Sequence, residues 1–256
     1  MKVNQRIKEI ESWIKTYSKK HKIKTLIVGV SGGIDSAVVS TLCARTGLDV
    51  IALSMPILQS KHTHDLSVAH CEWLKQNFSN VQIHLIDLTA VFKKFKDSTS
   101  LFDSDLGYAN SRARLRMMTL YQVAQSNSGI VVGTGNRVED FGVGFFTKYG
   151  DGGVDISPIG GCYKTEVWEM GKELGIIQDI IDAPPTDGLW DDTRTDQDQL
   201  GMSYEDLEKA MQLDSLDDQS DLKSLDRTQR SQLKAYREIR ARNMHKMLPI
   251  PVCTFD

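Results

Sequence analysis

The sequence has few cysteines and no long apolar run, and these absences exclude several classes of protein. The four cysteines are widely spaced, with no C-x-x-C pair: Cys43, Cys71, Cys162 and Cys253. This spacing argues against a zinc site, a disulfide scaffold or a dithiol redox motif, and it favours a reducing, cytoplasmic location. No apolar run approaches the roughly 18 residues of a membrane-spanning helix. The charged N-terminus MKVNQRIKEIESW also lacks the apolar core of a signal peptide.

The charge is nearly balanced, so neither nucleic acid nor a membrane surface is indicated as a partner. The 31 basic and 34 acidic residues give a formal net charge of −3, which provides no general attraction to polyanions. Hydrophobic residues make up 40% and charged residues 25% of the chain, as in an ordinary globular enzyme. A chain of 256 residues can bury one sizeable core, and we expect residues 1–256 to form a single domain.

The periodicity of apolar residues predicts helices that alternate with short strands. Steps of three and four residues predict an amphipathic first helix, through Val3, Ile7, Ile10, Ile14 and Tyr17. The predicted strands are 25–30, 49–54, 81–86 and 129–133, and the further helices are 35–46, 63–78, 88–96, 108–126 and 227–244. This alternation predicts an α/β fold with a doubly wound parallel sheet. Such a sheet binds ligands at the carboxyl ends of its strands.

The stretch Ser31-Gly32-Gly33-Ile34-Asp35-Ser36 follows the first predicted strand and opens a helix. Glycines there can adopt positive φ and turn successive N–H groups inward as an anion-binding nest. The helix N-terminus adds positive potential. The hydroxyls of Ser31 and Ser36 can donate to phosphate oxygens, and Asp35 can hold Mg²⁺. The stretch therefore predicts a pyrophosphate cradle.

Two other phosphate-binding motifs do not match this stretch. No Lys-Ser or Lys-Thr follows the second glycine, so it is not a Walker loop, and it is not the dinucleotide motif G-x-G-x-x-G. The pattern S-G-G-x-D-S after a strand is typical of the ATP pyrophosphatases, which cleave ATP between its α and β phosphates. The alternative, a plain strand–turn–helix cap, would not require the aspartate and both serines.

A second candidate site segment, GTGNRVE, follows the fourth predicted strand. A parallel strand that ends in Gly133-Thr134 places a small polar group at the same edge of the sheet as the first turn. Glu139 could reach that edge and form a carboxylate pair with Asp35, and Mg²⁺ takes only one or two protein carboxylates. A solvated position on a helix is the alternative for Glu139.

Two further stretches are informative in composition alone. The segment FFTKYGDGGVD, residues 145–155, is too rich in glycine for regular structure, and a surface turn explains it as well as a ligand loop. The acidic stretch 182–226 includes the turn-rich PPTDGLWDDTRTDQ, which we interpret as a long functional loop. The basic helix 227–244 could pair with this acidic stretch.

Together these segments resemble the ammonia-dependent NAD synthetases, a family of the N-type ATP pyrophosphatases with a PP-loop. The resemblance rests on SGGIDSA, ANSRARLRM, GTGNRVE, GFFTKYGDGGVD, SPIGGCYKTEV, APPTDGLW and MHKMLP, in order over nearly the whole chain. It implies a Rossmann-like fold of the adenine nucleotide alpha hydrolase type. It also implies a homodimer with the dinucleotide near the subunit interface.

The resemblance implies a role for particular residues. The positions that match the family's ATP contacts are Gly29, Val30, Ser31, Gly32, Gly33, Ile34, Asp35, Ser36, Thr134, Lys164 and Thr186. The positions that match its contacts with deamido-NAD⁺ are Arg114, Lys148, Asp155, His245 and Lys246. Asp35 and Glu139 match its metal carboxylates, and Asp35, Glu139 and Lys164 are the candidate catalytic residues. Asp155 is also a candidate base for ammonium.

The implied reaction joins deamido-NAD⁺ and ammonia at the expense of ATP, with Mg²⁺ as cofactor and AMP and pyrophosphate as products. None of the four cysteines opens an amidotransferase motif, so we expect free ammonia, or ammonia from a separate protein, as the nitrogen source. The polar stretches 150–153 and 187–198 are expected to close over the substrates.

Two local features qualify this assignment. Helix geometry cannot turn Arg112, Arg114 and Arg116 to one ligand, so we expect Arg116 to be solvated or ion-paired. The family usually has Gly-Asn before the arginine segment, whereas Ala109 precedes Asn110 here, so the local backbone could differ.

Two other functions remain open at this point. Another ATP pyrophosphatase, such as a base-amidating synthetase or an RNA-thiolating enzyme, would share the Ser-Gly-Gly turn. The absence of a cysteine pair and of a concentrated basic surface weakens the thiolation alternative. A non-catalytic nucleotide-binding regulator would not need Asp35, Glu139 and Lys164 together.

Overall fold

The centre of the protein is a four-stranded parallel sheet. The computed structural model describes residues 2–186, 188, 194–216 and 225–255. Its strands are β1 Thr25–Gly29, β2 Asp49–Ser54, β3 Val81–Leu85 and β4 Gly129–Val132, in the spatial order β3-β2-β1-β4. All three pairings are parallel, which confirms the predicted doubly wound fold. Each predicted strand was found within one residue of its expected end.

Helices cover the sheet and extend beyond its edge. They are α1 Val3–His21, α2 Ile34–Arg45, α3 Lys61–Asn77, α4 Thr89–Ser98, α5 Asp105–Ser126, α6 Lys164–Glu173, α7 Gln178–Asp182, α8 Asp196–Leu200, α9 Tyr204–Asp214 and α10 Arg227–Met247. A 3₁₀ turn, Ser100–Phe102, and a π-helix, Arg137–Val143, complete the set in the described ranges. None of these helices is long and apolar enough to cross a membrane.

Helices α8 and α9 lie in the acidic stretch 182–226, and α8 begins within PPTDGLWDDTRTDQ, the segment interpreted as a long loop. Thr195 caps α8 by accepting from the backbone N–H of Asp198, and Ser203 caps α9 by accepting from that of Asp206. Small hydroxyl residues at these positions satisfy the unpaired N–H groups of a first turn. The same acidic residues that favour a loop therefore also suit the first turns of short helices. Residues 187, 189–193 and 217–224 of this stretch lie outside the described residues.

Side chains that alternate along the strands build two separate cores. Leu26 and Val28 of β1 pack with α1, α2, α3 and α6, whereas Ile27 between them packs with α4 and α5. Neighbouring strands follow the same alternation, since successive strand residues point to opposite faces. Both faces are therefore covered at the centre of the sheet, which explains why β1 is almost entirely apolar, whereas the edge strand β3 carries the polar residues Gln82 and His84.

A third apolar cluster joins the π-helix to α9 and α10. Val138 and Val143 of the π-helix contact the buried side chains Leu207, Leu233 and Tyr236. An ion pair between Arg237 and Asp214, at 2.6 Å, connects α10 to the end of α9. This ion pair joins the basic helix to the acidic stretch 182–226, as the sequence allowed.

The chain changes direction across the sheet between β1 and β4. From β1 it runs outward through β2 to β3 and then returns to β4, which lies on the other side of β1. A doubly wound sheet opens a crevice at such a switch point, outside the carboxyl ends of the two strands. The Ser-Gly-Gly turn after β1 and the GTGNRVE segment after β4 meet there.

The buried histidine His70 makes the stability of the fold depend on pH. Its side chain is fully buried and its Nε2 lies 3.0 Å from the Oγ of Ser40. Burial lowers the pKa of His70 to about 4. The unfolded chain therefore binds the proton more readily, and stability is lost as the pH falls from the unfolded pKa of about 6.5 towards the folded one.

We expect His70 to lower the free energy of unfolding by about 2 kcal/mol when the pH falls from 7 to 5. Urea denaturation at both pH values would measure it, with His70→Gln compared against wild type. The variant should lose less stability over this interval, because the glutamine does not titrate. An identical pH dependence for both proteins would contradict the assignment.

Candidate functional site

The Ser-Gly-Gly turn needs a glycine at only one of its two positions. Gly32 has a φ of 94°, and a Cβ there would lie 2.5 Å from the backbone oxygen of Thr63. Gly33 instead has a φ of −89° as the N-cap of α2. Positive φ and close contact with α3 therefore both fix glycine at position 32.

The two serines of this turn have different surroundings. Ser36 is 3% exposed, and its hydroxyl donates to the oxygen of Gly33 at 2.9 Å while accepting from the N–H of Ser31 at 3.1 Å. Ser36 thus holds the turn together from inside. Ser31 is exposed, and its Oγ accepts from the N–H of Gly33 at 3.2 Å, so it is the serine that faces the crevice.

Three charged side chains from three elements meet beside this turn. Asp35 lies in the first turn of α2, Glu139 in the π-helix and Lys164 at the start of α6. The Nζ of Lys164 donates to Oδ2 of Asp35 and, at 3.0 Å, to Oε1 of Glu139. The predicted carboxylate pair is therefore present, with one buried ammonium shared between its members.

Asn136 joins the two sides of the crevice. It is fully buried, and its side-chain oxygen caps the π-helix by accepting from the N–H groups of Val138 and Glu139, at 3.0 and 3.1 Å. Its Nδ2 donates to Oδ1 of Asp35 at 3.1 Å. One side chain thereby positions both carboxylates. The sequence shows an Asn before a helix, which is a recognisable N-cap. It gives no sign that this Asn also contacts Asp35.

Burial and neighbouring charges oppose each other in this cluster. Burial raises the pKa of Asp35 above its ordinary value, although Lys164 acts in the opposite direction. Burial would also raise the pKa of Glu139, but Lys164 and the hydroxyl of Tyr204 outweigh it and lower that pKa. Burial alone would lower the pKa of Lys164, yet the two carboxylates raise it, so the lysine is charged.

A third carboxylate lies against the loop that leads into the π-helix. A Cβ on Gly135 would come within 1.9 Å of an oxygen of Asp140, so a larger residue there would force the Asp140 carboxyl to move. Burial, and then the charge of Glu139, raises the pKa of Asp140 well above its ordinary value. This shift favours the protonated, uncharged form of Asp140.

Tyr204 completes the cluster and was not found by the sequence analysis. Its hydroxyl lies 2.5 Å from Oε1 of Glu139 and 2.8 Å from Oδ2 of Asp196. Burial raises its pKa, and so do the charges of Glu139 and Asp196, so the phenol keeps its proton. No motif marks Tyr204, because it is 65 positions from Glu139 and starts an ordinary capped helix.

The other predicted ATP contacts lie around the same crevice. Thr134 is half-buried directly after β4. Thr186 is exposed, and its hydroxyl donates to the oxygen of Arg194 at 3.2 Å. A Cβ on Gly188 would lie 3.8 Å from Nε2 of Gln59, the side chain that donates to the oxygen of Ser31 at 3.4 Å. The Thr186 segment is therefore next to the Ser-Gly-Gly turn.

Four of the five predicted dinucleotide contacts are gathered around the loop 145–149. Nε of Arg114 donates to the oxygen of Lys148 at 3.2 Å, and Nζ of Lys148 donates to the oxygen of His245 at 3.1 Å. Nζ of Lys246 donates to the oxygen of Phe146 at 2.8 Å. The side chain of His245 itself is exposed. These bonds connect α5 and the end of α10 through one loop.

The fifth predicted dinucleotide contact, Asp155, makes its hydrogen bonds with β4 and α5 instead of the loop 145–149. Its Oδ2 accepts from the N–H of Val131 in β4 at 2.8 Å, and its Oδ1 accepts from the hydroxyl of Tyr121 at 3.1 Å. Both carboxylate oxygens of Asp155 therefore have a donor within the chain.

Arg116 differs from the sequence expectation, and Ala109 lies in regular helix. Arg116 is half-buried, and its Nε donates to the backbone oxygen of Met55 at 2.9 Å, so the chain rather than solvent holds it. Ala109 is buried inside α5, where no positive φ is needed. The neighbouring Asn110 accepts from the hydroxyl of Thr147 at 2.6 Å and so fastens the loop to α5.

The donor set of the cluster fits a magnesium ion that is bound together with a polyphosphate. Mg²⁺ takes one or two protein carboxylates and completes its octahedron with phosphate oxygens and water. Asp35 and Glu139 supply two carboxylates, with side chains 18% and 16% exposed, beside the only turn in the described residues that follows the S-G-G-x-D-S pattern.

We expect Lys164→Met to lower the free energy of unfolding by about 3–5 kcal/mol, because it leaves two half-buried carboxylates beside each other without their counter-charge. Lys172→Met, an exposed position on the same helix, is the matched control and should change stability by no more than about 0.5 kcal/mol. Urea denaturation of both variants would measure this. Equal stability of the two would show that the carboxylates do not depend on Lys164.

Comparison with known proteins agrees with this geometry. The family model described as NAD synthase matches residues 6–249. The NH(3)-dependent NAD(+) synthetase of Mesoplasma florum is 39% identical over 211 residues, which cover 81% of this chain and 84% of that protein. The synthetase of the same name from Methanosarcina acetivorans is also 39% identical, over 202 residues and 76% of each chain.

Solved structures show the same fold over the full length. The NMN synthetase of Francisella tularensis superposes with a TM-score of 0.87 and 30% identity, and all of both chains is covered. An NH3-dependent NAD synthetase from Campylobacter jejuni superposes with a TM-score of 0.80 at 24% identity, covering 99% of this chain and 100% of that one. The switch point of the sheet carries the carboxylates that this family predicts. The family model and the sequence relatives establish that the chain belongs to the NAD synthase family.

Proposed function

We propose that this chain catalyses the ATP-dependent amidation of deamido-NAD⁺ by ammonia, which yields NAD⁺, AMP and pyrophosphate. The proposal rests above all on one observation: Lys164 lies between Asp35 and Glu139, next to the Ser-Gly-Gly turn. A regulator that only bound a nucleotide would not need two half-buried carboxylates to share one buried lysine. The family of its relatives supports the same reaction.

The first step activates the nicotinate carboxylate. One of its oxygens attacks the α-phosphorus of ATP, the bond to the bridging oxygen breaks, and pyrophosphate leaves with the electron pair. The product is an acyl-adenylate. Activation is required because hydroxide is a poor leaving group from a carboxylate, whereas AMP is a good one.

The chain's residues would serve this step by screening charge and fixing geometry. The Ser-Gly-Gly turn and the N-terminus of α2 hold the leaving phosphates. Lys164 neutralises part of the negative charge of Asp35 and Glu139. Asp35 and Glu139 would hold Mg²⁺, which supplies Lewis-acid stabilisation of phosphate charge when bound. Positioning and preorganised charge account for most of such a rate enhancement.

The second step forms the amide. Ammonia attacks the acyl carbon, the carbon–oxygen bond to AMP breaks, and the nitrogen loses a proton as AMP leaves. Arg114, Lys148, His245 and Lys246 would hold the dinucleotide, because they already lie together around the loop 145–149. Asp155 would contact it through its side chain.

Amidation of nicotinate mononucleotide is a second candidate. It is favoured by the likeness to the Francisella protein named NMN synthetase, which extends over all of both chains. The chemistry of the carboxylate is the same for both substrates. They differ only in the adenylate half, so the two candidates can be separated by a direct comparison of rates.

We also propose that the protein is a homodimer that associates through α4 and α5. Four large apolar side chains of this region are exposed: Leu101 (92%), Phe102 (79%), Leu106 (60%) and Met118 (63%). Other apolar residues of α5, such as Met117 and Leu120, are buried against the sheet. The helix is therefore apolar on two sides, and one of them is uncovered in a single chain.

The reaction is tested by mixing the protein with Mg-ATP, ammonium chloride and either deamido-NAD⁺ or nicotinate mononucleotide. We expect equal amounts of AMP and amidated product, with deamido-NAD⁺ preferred. Asp35→Asn should lower the rate by about 10²–10³-fold, by analogy with the loss of one preorganised contact. Asp49→Asn, at the exposed start of β2, is the matched control and should keep the wild-type rate.

Other outcomes would each change the assignment. A faster rate with the mononucleotide would establish the second candidate. If AMP forms without either amide, the protein cleaves ATP between the α and β phosphates but transfers the adenylate to another acceptor. ATP binding without turnover would favour the regulator.

The dimer is tested by sedimentation equilibrium of the wild type and of the double variant Phe102→Lys, Met118→Lys. We expect the wild type to sediment as a dimer and the variant as a monomer, because buried charge would oppose association. Trp13→Lys is the control, since Trp13 is 45% exposed on α1, on the other side of the sheet. A dimeric double variant would place the interface elsewhere.

A further inference from the structure

Tyr204 is the side chain that connects the carboxylate cluster to the helices outside the sheet. It is 5% exposed at the start of α9 and packs edge-on against the ring of Trp168, with the centroids 6.0 Å apart at 88°. The Nζ of Lys164 lies 4.9 Å from the centre of its ring. Contacts on both sides therefore fix the position of the phenol ring.

The hydroxyl of this fixed ring is directed at Glu139. It lies 2.5 Å from Oε1, the same oxygen that accepts from Lys164 at 3.0 Å. Two donors on one oxygen hold the carboxylate plane in a single orientation, and they engage Oε1 rather than Oε2. A flexible glutamate would otherwise lose side-chain entropy on binding a cation.

Asp196 contacts the phenol from the other side, so the single phenolic proton is shared between Glu139 and Asp196. Its Oδ2 is 2.8 Å from the same hydroxyl, and its side chain is buried. The backbone N–H of Asp196 donates to the oxygen of Pro185 at 3.0 Å. The hydroxyl of Thr186 donates to the oxygen of Arg194 at 3.2 Å. The segment that carries the predicted ATP contact Thr186 is thus connected to Glu139 through two residues.

We propose that Tyr204 is a positioning residue that orients the carboxylate of Glu139 for metal binding, and that Asp196 positions Tyr204. Partners of this kind behind a metal ligand fix its orientation, and their loss typically weakens metal binding or activity by about 10–100-fold. The inference rests on the proposed function, because it assumes that Asp35 and Glu139 bind the metal. Neither residue is expected to contact the dinucleotide.

The test measures metal binding without turnover. Mn²⁺ affinity is determined by electron paramagnetic resonance in the presence of α,β-methylene ATP, which cannot be cleaved at the α–β position. Tyr204→Phe keeps the ring and its contact with Trp168 but removes the hydroxyl. We expect it to weaken Mn²⁺ binding by about 10–100-fold and to raise the Mg²⁺ requirement of the reaction, with the KM for deamido-NAD⁺ unchanged.

Tyr236→Phe is the matched control for loss of a buried tyrosine hydroxyl. Tyr236 is 3% exposed in the same apolar cluster, and its hydroxyl lies 3.5 Å from the oxygen of Gly142, away from Glu139. It should keep wild-type Mn²⁺ affinity. Asp196→Ala should weaken binding in the same direction as Tyr204→Phe but less strongly, and it carries the test if Tyr204→Phe does not fold.

Asp35→Asn separates failure of the inference from failure of the proposed function. If Asp35→Asn weakens Mn²⁺ binding while Tyr204→Phe and Asp196→Ala do not, the positioning role is overturned and the metal site stands. If Asp35→Asn also binds Mn²⁺ as wild type does, the metal site itself is overturned, and the positioning role with it.

Discussion

The shared lysine is the interaction on which the site depends. Lys164 is 2% exposed, and a buried ammonium is stable only when nearby carboxylates replace its lost hydration. Asp35 and Glu139 do so together, which requires α2, the π-helix and α6 to meet at one point. Two carboxylates and one ammonium leave a net negative charge, and this charge suits a divalent cation that arrives with a polyphosphate.

The topology of the sheet supplies that meeting point. Because β4 returns to the opposite side of β1 from β2, the segments that leave β1 and β4 diverge around one crevice. Asn136 bridges the crevice by capping the π-helix and donating to Asp35. A π-helix is uncommon and is often found at functional sites; here it carries Glu139 to the edge of the sheet.

The proposed binding surface for the dinucleotide is organised differently from the carboxylate cluster. Arg114, Lys148 and Lys246 donate to backbone oxygens rather than to carboxylates. Their charges are therefore not neutralised by these contacts, and they remain able to attract an anionic ligand. The loop 145–149 determines their spacing, and the contact of Thr147 with Asn110 connects that loop to α5.

The sequence alone determined the parts of this protein that depend on local pattern. Apolar periodicity predicted the four strands and six of the helices, and the Ser-Gly-Gly turn with Asp35 predicted where phosphate would bind. The position of Glu139 near Asp35 could also be anticipated, since both follow strands whose carboxyl ends meet at the same edge of a parallel sheet. Capped helices within the acidic stretch were missed, because aspartate and serine are common both in loops and in first turns.

Only the tertiary structure decided which distant side chains share a contact. Lys164 and Asp35 are 129 positions apart, and Tyr204 and Glu139 are 65 apart. Such contacts are set by how helices pack on the sheet, and no local pattern encodes that packing. The structure likewise placed Ser36 inside its turn and gave Asp155 two donors from β4 and α5. Local propensity selects the elements, whereas the burial of their apolar faces against the sheet and against one another brings these distant side chains together.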